Sequence, residues 1–169
     1  MKEPDILLRA LELEDLDFLY QIENDDRLWE LGVSNVPYSR RVLLDYISSA
    51  SADIYVDNQV RLIVENSRKE QVGIVDLTDF DPRHRRAELG IVIKKEFQGK
   101  GYAKASVARL LQYARNILHL RQIYAIVGIR NQKAAKMLQS VGFEGNNILK
   151  QWLCSPVGYE DAMFFQYFL

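Results

Sequence analysis

A glycine-rich stretch in the middle of the chain has the residue types of an anion-binding turn. It reads EFQGKGYAKAS over residues 96–106, and an amphipathic run follows it. A helix that begins near Gly101 leaves its first backbone amides without intrahelical acceptors. Gly99 and Gly101 lack a Cβ, so a ligand can approach the main chain closely. These amides and the helix dipole favour phosphate. The alternative is a turn in which glycine serves only a positive φ angle.

Polar side chains of the turn could add to such a site. Gln98 could donate an amide hydrogen bond to a phosphate oxygen, and Lys100 and Lys104 could supply positive charge. Two other nucleotide-binding patterns do not fit. The dinucleotide motif G-x-G-x-x-G needs glycine where Lys104 stands, and the P-loop ends in Gly-Lys-Ser/Thr, whereas Tyr102 and Ala103 follow the second glycine here.

The elements around the turn are predicted to be a strand before it and a helix after it. AELGIVI, residues 87–93, alternates as a strand does, with Glu88 and Gly90 on the face opposite Ala87. Beyond the turn, apolar residues recur at helical spacing from Ala103 to Leu118. Over the whole chain, the patterns predict the order βααββ, then βαβα, then ββ. This order is typical of a mixed α/β sheet whose faces are covered by helices.

Bulk composition excludes several classes of protein. The chain has 169 residues, 48% of them hydrophobic and 27% charged, with a net charge of −1. We therefore expect one domain over residues 1–169 and no general attraction to nucleic acid or to anionic membranes. The single cysteine cannot form an internal disulfide, and it favours a cytoplasmic location. No apolar run approaches the ~20 residues of a membrane span, and the chain starts without a signal-peptide core.

Two motifs, in order, carry a resemblance to a known family. QGKGYA matches Q/R-x-x-G-x-G/A, and NQKAAKMLQSVGF is similar to N-x-x-A-x-x-x-Y-x-x-x-G-F. The chain thus resembles the GNAT acyl-CoA N-acyltransferases. Its opening, LRALELEDLDFLYQIEND with VPYS, and its closing GYEDAMFFQYFL resemble the subgroup that contains ribosomal-protein and spermidine N-acetyltransferases.

The resemblance implies a fold and a cofactor. The fold is a GNAT-like mixed, largely antiparallel sheet with a splayed central parallel strand pair, flanked by helices on both faces. The cofactor is acetyl-CoA, with its pantetheine arm along GIVI, its diphosphate on residues 98–103, and the helix from Gln132 to Val141 beside the thioester. The implied cofactor contacts are Ile91, Val92, Ile93, Gln98, Gly99, Lys100, Gly101, Tyr102, Ala103, Lys104, Asn131 and Lys136.

Acyl transfer to an amine needs a neutral amine, a polarised carbonyl and a proton for the thiolate. Glu88 is the candidate base, with Asn131 as the second catalytic candidate. The alternative for Glu88 is a solvated strand glutamate, or one in a salt bridge with Arg85 or Arg86. A backbone amide around Val92 is expected to face the oxyanion.

One position departs from the family pattern. Relatives often carry a tyrosine seven residues after the motif asparagine, and Leu138 stands there and cannot donate a proton. Ser140, Cys154, Tyr159 or water could serve instead, or no acid is needed. The departure also leaves open an acyl-CoA-binding module with little turnover.

The acceptor is expected to be a protein N-terminus, a polyamine or a small amino compound. Asp76 and Asp79, with Glu88, are candidate substrate contacts, and solvated surface charges are the alternative. Polyamine enzymes of the subgroup carry an acidic pair just before Pro-Tyr; Asn35 and Val36 replace it here, which weakens the polyamine interpretation.

The remaining features favour structural roles. Residues 83–86, Arg-His-Arg-Arg, are interpreted as a solvated turn rather than a nucleic-acid surface. His84 and His119 lack spaced partners, so no metal site is expected. Cys154 is predicted to be a buried thiol. The C-terminal FFQYFL is predicted to be buried in the sheet, with homo-oligomer packing as the alternative.

Overall fold

A computed structural model describes residues 3–29, 37–51, 53–155 and 158–169. The strands are β1 (Ile6–Ala10), β2 (Val60–Asn66), β3 (Gln71–Asp81), β4 (Arg86–Ile93), β5 (Gln122–Gly128), β6 (Glu144–Ser155) and β7 (Gly158–Phe168). The helices are α1 (Leu16–Glu23), α2 (Asp26–Trp29), α3 (Arg40–Ser49), α4 (Ile54–Asp57), α5 (Tyr102–Asn116) and α6 (Gln132–Val141). Short 3-10 turns span Leu13–Asp15 and Lys95–Phe97.

The seven strands form one sheet in the order β1-β2-β3-β4-β5-β7-β6. Its neighbours are antiparallel except for β4 and β5, which run parallel. That parallel pair is in register only from Arg86–Gln122 to Glu88–Tyr124. Beyond it, β4 continues to Ile93 beside β3, and β5 continues to Gly128 beside β7. The predicted splayed parallel pair is confirmed.

Helices cover both faces of the sheet, as predicted. On one face, α1 and α3 pack against β2 and β3, and this core comprises Phe18, Leu19, Leu43, Ile47, Ile63 and Ile74. On the other face lie α5 and α6, whose core includes Val64, Val75, Val107, Leu110, Ile123 and Leu138. Central strands that are buried on both faces explain the near-continuous apolar runs of VRLIVEN and QVGIVDL.

Helix ends follow capping chemistry that the sequence signals. Ser39 caps α3 by accepting a hydrogen bond from the amide of Val42 (3.2 Å). Gly142 follows α6 with a φ of 106° and is its C-cap, as expected for a glycine at a helix end. Asp15 lies at the start of α1 and is buried, and its carboxylate accepts two hydrogen bonds from Arg9 (2.7 and 2.9 Å).

Two further predictions concern the C-terminal hairpin. Cys154 is exposed, so its prediction as a buried thiol is wrong; β6 is an edge strand with only β7 beside it. The predicted burial of the C-terminal segment holds for Phe165, which is fully buried, but Phe168 is exposed. The hairpin tip, residues 156–157, lies outside the described residues. Within the described ranges, no helix is long and apolar enough to span a bilayer.

Candidate active site

The glycine turn presents a row of free backbone donors at the start of α5. Gly99 and Gly101 have φ angles of 74° and 88°, in the left-handed region that glycine adopts readily. The first intrahelical bond runs from Ala105 to the carbonyl of Gly101 (3.1 Å). In the described chain, the amides of residues 99–104 donate to no backbone or side-chain acceptor. This row of amides at a helix N-terminus fits a diphosphate.

Space above the turn is open. A Cβ added at Gly99 would meet no atom within 4 Å, whereas one at Gly101 would lie 3.1 Å from Cδ of Pro4. Tyr102 turns its ring edge-on to Phe97, with 5.7 Å between ring centroids. A phosphate can therefore approach the main chain at Gly99 without displacing a side chain.

The polar side chains of the turn are partly engaged already. The Gln98 amide donates a hydrogen bond to the carbonyl of Ile93 (2.9 Å), which ties the turn to the end of β4 and leaves one amide hydrogen. The Lys100 ammonium lies 5.7 Å from the centre of the Phe97 ring. The Lys104 ammonium is 3.5 Å from the Glu3 carboxylate.

The splayed edge of β4 offers main-chain groups to the gap. The Lys94 amide donates a hydrogen bond to the carbonyl of Val72 on β3 (2.9 Å). The residue before it, Ile93, lies opposite Gly73 in the same ladder. By the alternation of an antiparallel ladder, the main-chain groups of Ile93 and Ile91 then point away from β3, toward the gap. Those of Val92 bond to β3 instead. The amide expected around Val92 is therefore available at Ile91 or Ile93, where an amide-bearing chain could pair with the strand.

A cleft of about 530 Å³ adjoins the end of β4. One wall consists of residues 92–96 with Gln98, and the other of Gln21, Ile22, Asp25, Arg27 and Leu28. The Val92 side chain faces this cleft. Asp25, Arg27 and Leu28, which follow α1 in the chain, therefore contribute to the cleft. Residues 30–36, including Asn35 and Val36, lie outside the described residues.

Glu88 occupies the last residue pair before β4 and β5 separate. It is half-buried and pairs with Thr78 on β3 and with Tyr124 on β5. Its carboxylate forms no hydrogen bond or ion pair with the described residues; Arg86 bonds to Asp81 instead (3.1 Å). The ion-paired alternative is therefore not observed. Burial, and then the charge of Asp79, raises the pKa of Glu88.

A β-bulge places Asp79 near Glu88. The β3–β4 register shifts between Thr78 and Asp81, and Asp79 has a φ of 48°. Its exposed carboxylate accepts a hydrogen bond from the Tyr124 hydroxyl. Burial and this bond raise the pKa of Tyr124. Sequence reasoning missed Tyr124; the signal was its alternation with the buried Ile123 and Ala125, which places its polar tip on the Glu88 face.

Asp76 is not the solvated surface charge that was the alternative for it. Arg61 binds its carboxylate with two hydrogen bonds, Nε to Oδ1 at 2.9 Å and Nη2 to Oδ2 at 3.0 Å. The same guanidinium bonds to Glu23 and lies 5.7 Å from the Tyr46 ring centre. Burial raises the pKa of Asp76 and the Arg61 charge opposes this shift. Asp76 therefore contributes charge to this face while its oxygens bind Arg61.

The second motif positions Asn131 at the start of α6. Its side-chain oxygen accepts a hydrogen bond from the Ala134 amide (3.2 Å), so the side-chain NH₂ remains to donate. Lys136 is exposed on the same helix. Leu138, at the usual tyrosine position, is 2% exposed and packs in the core with Phe143.

The proposed substitutes for that tyrosine are all at the surface. Ser140 is exposed and donates to the carbonyl of Met137 (2.7 Å). Cys154 and Tyr159 are exposed and face each other in the β6–β7 register. In the described ranges, no group of three or more His, Cys, Asp or Glu side chains could hold a metal ion.

Comparisons with known proteins agree with this geometry. A family model described as an acetyltransferase (GNAT) domain matches residues 5–144. The spermidine N(1)-acetyltransferase of Vibrio cholerae serotype O1 is 33% identical over 158 residues, which are 93% of this chain and 89% of that protein. A crystal structure of spermidine N-acetyltransferase from Vibrio cholerae in complex with CoA and spermine superposes with a TM-score of 0.84 at 31% identity, covering 96% of this chain and 95% of that one. A dodecameric structure from the same organism gives a TM-score of 0.80 at 31% identity, covering 96% and 93%. The chain therefore belongs to the GNAT acetyltransferase family and is an acetyl-CoA-dependent N-acyltransferase.

Proposed function

We propose that this protein transfers the acetyl group of acetyl-CoA to a terminal primary amine of a polyamine, by direct attack in a ternary complex. The observation that carries the proposal is the pair of carboxylates, Glu88 and Asp79, at the narrow end of the β4–β5 gap. Two more carboxylates on this face, those of Glu23 and Asp76, both bind Arg61. A cationic acceptor is attracted to such a surface. The relatives named as spermidine N-acetyltransferases support the same choice.

The cofactor would be held mostly by main chain. In this proposal the amides of residues 99–104 bind the diphosphate, with charge added by Lys100 and Lys104. Ile91 and Ile93 pair with the pantetheine arm, and the Asn131 NH₂ donates to it. Acetyl-CoA supplies the acetyl group as an activated thioester. These contacts would bring its carbonyl to the gap next to Glu88.

Glu88 would act as the base. A primary amine of pKa ~10.4 is neutral in only about one molecule in 10³ to 10⁴ at pH 7. Glu88 accepts the proton that the amine loses, directly or through water, and its raised pKa makes it a better acceptor. The new bond joins the amine nitrogen to the carbonyl carbon, and the carbon–sulfur bond breaks. An amide at Ile91 or Ile93 stabilises the oxyanion. Because Leu138 cannot donate, the thiolate leaves and takes its proton from solvent.

A panel of acceptors tests this function. CoA release would be measured with spermidine, spermine, butylamine and a peptide with a free N-terminus. We expect a higher kcat/KM with either polyamine than with butylamine or the peptide, because butylamine and the peptide lack the additional cationic nitrogens. A higher kcat/KM with the peptide than with both polyamines would refute the proposal that the acceptor is a polyamine. Acetyl-CoA binding in calorimetry without CoA release from any amine would instead indicate a binding module.

Two further measurements complete the test. Initial rates at varied concentrations of both substrates should give intersecting double-reciprocal lines, as a ternary complex requires, whereas parallel lines would indicate an acetylated enzyme. We also propose that the chain forms a homo-oligomer, as its dodecameric relative does. Light scattering that gives the mass of one chain, 19.6 kDa, would contradict this.

A further inference from the structure

Tyr124 is a buried polar residue for which the proposed mechanism has no role so far. It is 7% exposed and lies beside Glu88 in the β4–β5 register. Its ring stacks on Phe164, with 5.3 Å between centroids and 20° between planes. Its hydroxyl donates a hydrogen bond to Asp79. The stacked ring and the strand backbone give this hydroxyl a fixed direction.

Asp79 combines an unusual backbone conformation with an exposed side chain. It sits in the bulge of β3 with a φ of 48°, a conformation that is costly for residues other than glycine, although aspartate tolerates it better than most. Its side chain is exposed and forms no ion pair within the described residues. The Tyr124 hydroxyl is therefore the group that holds the carboxylate in place.

Other charged groups near Glu88 are already paired. On β3, Asp76 is bound by Arg61 of β2. On β4, Arg86 binds Asp81 of β3. On β5, Tyr124 is the titratable neighbour in register. Among the charged groups on the neighbouring strands, Asp79 is thus the one whose charge raises the pKa of Glu88, in addition to burial.

We propose that Tyr124 is a positioning residue for acetyl transfer, which fixes Asp79 beside Glu88 so that both carboxylates face the incoming amine. This inference rests on the proposed function, in which Glu88 accepts the proton of the amine. The fixed charge of Asp79 attracts the ammonium form of the acceptor. It also opposes ionisation of Glu88, which makes Glu88 the stronger base.

Tyr124 does not itself replace the missing proton donor of α6. Burial raises the pKa of Tyr124, and its hydrogen bond to the Asp79 carboxylate raises it further, so the phenol is a weaker acid. Tyr124 acts by positioning Asp79, so its hydroxyl does not need to contact the thiolate.

Three variants and two readouts test the inference. The variants are Tyr124→Phe, which keeps the ring on Phe164, Asp79→Asn, and the double variant. The first readout is the carbon-13 NMR titration of the Glu88 carboxyl without substrates, identified by its loss in Glu88→Gln. The second is the pH profile of kcat/KM with spermidine.

In the wild type, Glu88 should titrate above the range of an exposed glutamate. Asp79→Asn should move this titration, and the acid limb of the rate profile, to lower pH. Tyr124→Phe should move both in the same direction, and the double variant should match Asp79→Asn because the tyrosine acts through the aspartate. Because Asp79 faces solvent, salt should screen its charge, and the difference in Glu88 titration between wild type and Asp79→Asn should shrink at high salt.

An unchanged Glu88 titration in either Asp79→Asn or Tyr124→Phe overturns the inference, as does a double variant that adds the two effects. A titration that moves while the acid limb stays in place would instead show that Glu88 is not the base. That result refutes the proposed mechanism and, with it, the role of Tyr124 in transfer.

Discussion

Arg61 and Asp76 form a two-point ion pair across β2 and β3, with both hydrogen bonds at 3.0 Å or less. Their side chains are only 23% and 17% exposed. The pair lies on the sheet face that α1 and α3 cover, and Glu23 at the end of α1 joins it. It therefore ties α1 to β2 and to β3, the strand that carries Asp79.

Removing Arg61 should destabilise the fold. Arg61→Met leaves the poorly solvated carboxylate of Asp76 without its cation, and we expect a loss of about 3 kcal/mol in the free energy of unfolding. Urea denaturation at pH 7 measures it. Arg41→Ala is the control, because the Arg41–Asp45 side chains are 85% and 67% exposed and such pairs contribute less than about 0.5 kcal/mol.

The Arg61→Met penalty should also depend on pH. Without its cation, Asp76 has a folded-state pKa above its unfolded value, so its cost is absent at low pH and grows as pH rises through the folded-state pKa. The stability difference from wild type should therefore shrink as pH falls. A pH-independent difference would mean that lost packing, rather than an unpaired charge, causes the penalty.

A negative charge at the glycine turn should abolish cofactor binding. Gly99→Asp and Gly99→Asn are a matched pair, since both side chains tolerate the left-handed backbone and a Cβ there meets no atom within 4 Å. Calorimetry with acetyl-CoA should detect no binding to the Asp variant and weakened binding to the Asn variant. Equal affinities would exclude the diphosphate from this turn.

Asn131 should have two separable roles, in the helix cap and in the cofactor site. Asn131→Ser keeps an acceptor for the Ala134 amide and should unfold near wild type, whereas Asn131→Ala should lose about 1 kcal/mol of stability. Both variants lack the NH₂ group and should bind acetyl-CoA more weakly. Wild-type affinity in the Ser variant would limit Asn131 to the cap.

Replacing Glu88 should lower the rate without affecting cofactor binding. Glu88→Gln should reduce kcat/KM by about 10² or more and remove the acid limb of the pH profile, because the unprotonated carboxylate is the active form and its raised pKa sets that limb. Acetyl-CoA affinity should be unchanged. Glu144→Gln, at an exposed position on β6, is the control and should keep the full profile.

Patterns in the residues were enough to recover much of this molecule. Alternation predicted the seven strands in order, and helical spacing predicted α1, α3, α5 and α6. The glycine turn between β4 and α5 was recognised from its two glycines, both of which adopt a positive φ. Gly142 was likewise readable as a cap. These features are local, since each depends on residues a few positions apart along the chain.

Contacts between distant residues were not readable in this way. Asp76 was ambiguous until the β2–β3 register set Arg61 opposite it, and Tyr124 had no visible partner until a bulge turned Asp79 toward it. The exposure of Cys154 likewise followed from β6 being an edge strand. Local propensity fixes where strands and turns fall, whereas pairing register and helix packing bring together residues that lie 15 to 45 positions apart.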